Sequence, residues 1–166
     1  EIATVTTLAN PPAAAEPSVS GVSSSSVQLA WLANGNPETT RYLIYRSTSA
    51  EFAVFSSTLS APGTLSMTST GLEPNTTYYF RAAAVNLADV ASEFVQLGST
   101  VTLTQALSFA VSVPSADAVF VLWTPVSAEG YMVEVATGAF EEGNIIQIAA
   151  GAAESSATVS GLLPNT

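Results

Sequence analysis

The sequence contains no lysine, no histidine and no cysteine, and its only cations are Arg41, Arg46 and Arg81. Each absence closes a class of chemistry. Without histidine or cysteine there is no Ser-His-Asp or Cys-His triad and no Cys/His zinc site. Without lysine no Schiff base can form on the chain. Thirteen acidic residues leave a net charge of −10. Nucleic-acid binding needs clustered cations that displace counterions, so nucleic acid is excluded as a partner. Anionic membrane surfaces are disfavoured on the same ground. No stretch approaches the ~18 consecutive apolar residues that would suggest a membrane span. Glu1-Ile2-Ala3 has neither the basic start nor the apolar core of a signal peptide.

The acids that are present are sparse. Glu141-Glu142 is the only adjacent acidic pair. A glycosidase needs two carboxylates, but beside Gly143 this pair reads as a solvated turn. The two aspartates, Asp89 and Asp117, stand apart, and there is no Asp-x-Asp-x-Asp-Gly loop for calcium. No metal and no cofactor is implied, and the chain reads as non-enzymatic.

Apolar residues make up 48% of the sequence and charged residues 10%, spread along its length, so a disordered acidic tail is a poor description. The chain repeats itself. Gly71-Leu72-Glu73-Pro74-Asn75-Thr76 recurs as Gly161-Leu162-Leu163-Pro164-Asn165-Thr166, an offset of 90. Val27, Leu29 and Trp31 recur as Val119, Val121 and Trp123, an offset of 92. Tyr42-Leu43-Ile44 recurs as Tyr131-Met132-Val133, an offset of 89. Three landmarks in one order at nearly one spacing establish an internal duplication.

Within each copy the apolar residues alternate in short runs separated by turn signals. Ser18 to Ser23, Val27 to Leu32, Arg41 to Arg46, Phe52 to Leu59, Leu65 to Thr70, the run after Pro74, and Phe94 to Leu103 are the expected strands. Asn34-Gly35-Asn36-Pro37 is a strong turn signal. Pro74 cannot donate to a β ladder and so marks a corner between strands. After it, Tyr78, Phe80, Ala82 and Ala84 fall on one face. Tyr78 is placed to bury its ring and return its hydroxyl to the corner backbone near Gly71 to Glu73, a tyrosine corner.

The pattern Leu72, Pro74, Thr76, Tyr78, Phe80, Ala82, Ala84, Val85, Asn86, with a tryptophan on the second strand, closely resembles a fibronectin type III domain. The resemblance implies an all-β fold of tandem immunoglobulin-like sandwiches and a spacer or binding role. The expected organisation is the last strand of a preceding domain over residues 1–10 and a linker over 11–15. A complete domain follows over 16–105, then a second over 106–166 that lacks its last two strands. On that expectation the strand Tyr131 to Val135 has an unpaired edge. Two explanations are open: a window cut from a longer repeating chain, or strands donated by another copy, with Ile2 to Leu8 as a candidate donor.

Structural roles fall to Trp31 and Trp123 in the cores and to Pro74 and Tyr78 at the corner. Tyr45, Tyr79 and Arg81 are expected side by side on an outward face, with Leu43 beside them, as a binding patch or as ordinary cross-strand stabilisers. Phe120 and Leu122 alternate with the inward residues of their strand and are expected to form an interface. Asn75-Thr76-Thr77 fits the N-glycosylation pattern, but the corner itself requires these residues. No Arg-Gly-Asp tripeptide occurs.

The composition, rich in Ser, Thr and Ala, leans towards an extracellular, bacterial surface protein. Two functions are carried forward. The first is a structural or adhesive array of such domains, whose partners are other copies or neighbouring domains, and surface glycans or proteins. The second is an accessory module of a secreted polysaccharide-degrading enzyme.

Overall fold

The computed structural model describes residues 6–136, 140 and 145–163. The chain forms two compact units, divided between Leu103 and Thr104. No helix among the described residues is long and apolar enough to cross a membrane.

The first unit holds β1 (Ala13–Ser20), β2 (Ser26–Leu32), β3 (Arg41–Ser47), β4 (Ser56–Leu59), β5 (Ser66–Thr70), β6 (Thr77–Val85) and β7 (Val95–Val101). A three-stranded sheet in the order β1-β2-β5 and a four-stranded sheet in the order β4-β3-β6-β7 make up the sandwich. The alternation in the sequence decides which side chains lie between them. Val27, Leu29 and Trp31 point inward from β2, Tyr42 and Ile44 from β3, and Tyr78, Phe80, Ala82 and Ala84 from β6, forming one core with Leu72 and Leu97. Turn chemistry fixes the connections. Asn34 (φ 51°) and Gly35 (φ 80°) both take left-handed backbone, and Asn36 N–H closes the turn onto Ala33 O at 3.2 Å. On β7 a bulge between the pairs Phe80–Gly98 and Arg81–Gln96 leaves Leu97 over, and its side chain enters the core.

The second unit holds β8 (Phe109–Ser115), β9 (Ala118–Trp123), β10 (Gly130–Ala136), β11 (Ile145–Gly151) and β12 (Ser156–Ser160). Its sheets run β12-β9-β8 and β10-β11, the plan of β5-β2-β1 and β3-β4 repeated. Single hydrogen bonds recur as well. Trp31 N–H donates to Leu65 O at 2.9 Å and Trp123 N–H to Ser155 O at 2.8 Å. Leu72 N–H donates to Ser25 O and Leu162 N–H to Asp117 O, both at 3.0 Å.

Three expectations need correction. Residues 11–15 are not a linker: Ala13 and Ala14 pair with Leu32 and Trp31, so the first strand begins five residues earlier than its pattern suggested. Polyalanine carries no alternation, and its small side chains hide a strand that the β2 edge recruits. Residues 6–10 form no strand and are tied to the first unit. Asn86 Nδ2 donates to Thr7 O at 2.9 Å, and Asn10 N–H donates to Asn36 Oδ1 at 2.9 Å. Residues 1–5 lie outside the described residues. Finally, the strand expected over Phe52 to Leu59 shrinks to β4, because Phe52 turns at φ 54° and buries its ring off the strand.

Candidate interaction sites

The outer face of the four-stranded sheet carries the side chains that alternate with the core set. Register sets Tyr45 of β3 opposite Arg81 of β6, and Ser47 opposite Tyr79. The Arg81 guanidinium carbon lies 5.2 Å from the centroid of Tyr45, 4.1 Å from that of Phe52 and 4.4 Å from that of Phe94. Tyr45 stacks on Phe55 with centroids 4.1 Å apart and planes 13° apart, and leans on Phe94 at 4.5 Å. Arg81 is thus ringed by aromatics. Its Nε is buried and has no hydrogen-bond partner among the described residues, so the aromatic rings are what that part of the guanidinium meets. The other two arginines are engaged differently: Arg41 pairs with Asp89, and Arg46 donates to Thr70 O.

Of the residues expected in this patch, Tyr45 and Arg81 meet. Leu43 is on the same face opposite Leu59. Tyr79 stands two residues along β6 and enters none of these ring contacts. Phe52, Phe55 and Phe94 were missed: the sequence placed them within the expected strands Phe52 to Leu59 and Phe94 to Leu103, whereas each lies just outside a strand, where alternation assigns no face. Their one sequence signal is aromatic character just outside β4 and β7.

At the corner, Glu73 N–H donates to Tyr78 Oη at 3.0 Å, and Thr76 Oγ1 donates to Pro74 O at 2.9 Å. Thr102 Oγ1 donates to Glu73 O at 2.6 Å, tying β7's end to the same turn. Asn75 takes left-handed backbone there (φ 50°), with its N–H on Leu103 O. Burial and the hydroxyl act oppositely on Tyr42: burial raises its pKa above the ordinary 10.0, and a hydrogen bond with the Asn36 side chain lowers it by less.

In the second unit Trp123 and Tyr131 are buried with Val121 and Ala150. Phe120 and Leu122 occupy the other face of β9. Phe120 is half-buried between Ser112 and Thr158, while Leu122, between Ala110 and Ser156, is exposed. Glu141 and Glu142 lie outside the described residues. Asp117 accepts from Ser115 Oγ at 2.7 Å, and no group of three or more acids able to hold a metal occurs among the described residues.

The family model of the fibronectin type III domain matches residues 10–93, just over half of the chain. The chain belongs to the fibronectin type III family. The match falls on the first sandwich, and the second repeats that sandwich's first five strands. A two-domain fibronectin type III segment of chicken tenascin is similar in structure, with a TM-score of 0.62 at 17% identity, covering 93% of this chain and 85% of that one. A computationally redesigned β-sandwich protein gives 0.48 at 23% identity, covering 58% and 97%. The FN1–FN3 domains of chicken CNTN1 give 0.43 at 19% identity, covering 95% and 60%. No curated protein matches the sequence.

Proposed function

We propose that the chain is a non-catalytic structural and interaction module, part of an extended array of fibronectin type III sandwiches in a stalk, filament or adhesin on or outside the cell. Its partners are other copies or neighbouring domains of the same protein, and surface glycans or proteins. The observation that supports this most is the duplication itself, in which strand order, the tryptophan–tyrosine core pair and individual main-chain hydrogen bonds recur. A duplicated sandwich adds length without adding chemistry. Electron microscopy of the natural full-length protein tests the reading. Thin rods or filaments are expected, and compact single particles would overturn it.

The accessory-module reading is weaker on one geometric ground. The rings of Tyr45, Phe55 and Phe94 are turned onto one another and onto Arg81, which leaves little free aromatic face for a sugar to stack on. Affinity electrophoresis in soluble polysaccharides, with Tyr45→Ala as control, separates the two. Retardation lost in the variant would favour the accessory module.

A further inference from the structure

Arg81 is a cation with one edge sealed and one edge open. Phe52, Phe94 and Tyr45 surround the guanidinium, and its buried Nε has no hydrogen-bond partner among the described residues. Nη1 and Nη2 are not buried in this way, and no acceptor among the described residues bonds to either. No carboxylate meets them: the one ion pair among the described residues is Arg41–Asp89. Acids stand close in the sequence, since Glu51 precedes Phe52 and Glu93 precedes Phe94. Glu51 instead accepts from Ser49 Oγ at 2.8 Å. A charge packed against apolar rings is costly unless an opposite charge meets it, and the rings offset only part of that cost. The chain has 13 acids, yet none of those described is directed at this edge.

We propose that the open edge of Arg81 is a carboxylate-binding site for a protein partner, an inference that rests on reading the chain as an interaction module. The occupant is a segment with one aspartate or glutamate between apolar residues. Its carboxylate takes the N–H groups of Nη1 and Nη2 as a two-pronged pair. Rings on the other sides keep water away and lower the local dielectric, so the pair is stronger than one in open solvent. Apolar flanks match what surrounds the site. Phe55, stacked on Tyr45, is 46% exposed, and Leu43 and Leu59 continue the same face. Arginine and aromatic side chains together are the usual makings of a binding hot spot. Glu51 and Glu93 set the selectivity. Both are exposed, and with the net charge of −10 they repel a densely anionic ligand more than a single carboxylate.

Because the chain has only three cations, guanidinium NMR reads the site directly. The probe is the capped tripeptide acetyl-Val-Glu-Val-amide, added to the whole chain while the arginine Nε–H signals are followed. The Arg81 signal is expected to move saturably, and those of Arg41 and Arg46 to stay. The Val-Gln-Val peptide is expected to bind at least about tenfold more weakly, the loss that goes with removing a charge-assisted pair. Phe55→Ala, changed at an exposed ring, is expected to weaken Val-Glu-Val about fivefold. No movement of Arg81 with millimolar Val-Glu-Val overturns the proposal. Equal movement with Val-Gln-Val overturns it too, because the rings alone would then do the binding. Equal movement with glucuronate would assign the site to a glycan and overturn the protein partner. Rods in the electron microscope without this movement would sink the site and leave the array standing, and movement with compact particles would do the reverse.

Discussion

Tyr131 and Trp123 meet with ring centroids 5.2 Å apart and planes tilted by 51°, and Tyr42 and Trp31 repeat the arrangement at 5.6 Å and 55°. The two tyrosines use their hydroxyls differently. Tyr131 Oη both accepts from Val126 N–H and donates to Val126 O, each at 3.0 Å, so one hydroxyl closes the loop from Val126 to Tyr131. Tyr131→Phe keeps the ring pair and leaves two main-chain groups without that partner. The expected loss is ~1–3 kcal/mol by denaturant unfolding, the usual cost of stranding part-buried polar groups. A loss within ~0.5 kcal/mol, typical of surface changes, would mean that water replaces the hydroxyl freely.

Tyr42 makes the first unit sensitive to base. Its pKa is raised in the folded protein, chiefly by burial, so the folded state holds this proton to higher pH than the unfolded state does. Below the ordinary value of 10.0 both states are protonated and stability is unaffected. As pH rises above it, the unfolded chain releases the proton first, and stability falls until the folded pKa is passed. Unfolding curves at pH 8, 10 and 11 should show a decline that is shallower in Tyr42→Phe.

Two glycines at positive φ separate strain from clash. Gly71 (φ 67°) has open space where a Cβ would point, whereas at Gly63 (φ 71°) a Cβ would lie 2.7 Å from Glu38 O. Gly71→Ala therefore meets only the left-handed backbone penalty, about 1–2 kcal/mol. Gly63→Ala adds a main-chain collision and should cost distinctly more. Thermal unfolding of the two variants side by side reads the order directly.

Arg81 and Arg41 should differ in their response to salt. Arg81→Lys keeps the charge but loses the flat guanidinium that lies over three rings, and should cost about 1 kcal/mol. That loss should hardly change with ionic strength. Arg41 pairs with the largely exposed Asp89. Arg41→Ala should cost less than about 1 kcal/mol, and the effect should fade as salt is added. Urea titrations at low and high sodium chloride distinguish the two.

The strands were legible where large and small side chains alternate. Val27-Leu29-Trp31 and Tyr78-Phe80-Ala82-Ala84 declare an inward face without help. The start of β1 was not legible, because Ala13-Ala14-Ala15 has no face to declare and is a strand only because β2 offers it an edge. The arginine's surroundings were half legible. Tyr45 and Arg81 share a face by period two, but Phe52 enters through a left-handed residue, and Phe55 and Phe94 flank strands rather than occupy them. Contacts brought about by loop geometry leave no periodic trace.

β1 touches β2 at two separate places, Ala13–Ala14 and Val19–Ser20, and between them Ser18 reaches Leu97 in the opposite sheet. A strand fastened in this way does not resist a pull as one block. Tension entering at the N-terminal side of the first sandwich would load the Thr7–Asn86 and Asn10–Asn36 ties first, then Ala13–Ala14, then the Ser18 crossing, and last Val19–Ser20. Each fastening is only one or two residues long, so they should let go in succession at low force while β2 to β7 stay folded. A sandwich fastened in this way should lengthen in a small, recoverable step before it unravels, and a row of them would then behave as a shock absorber.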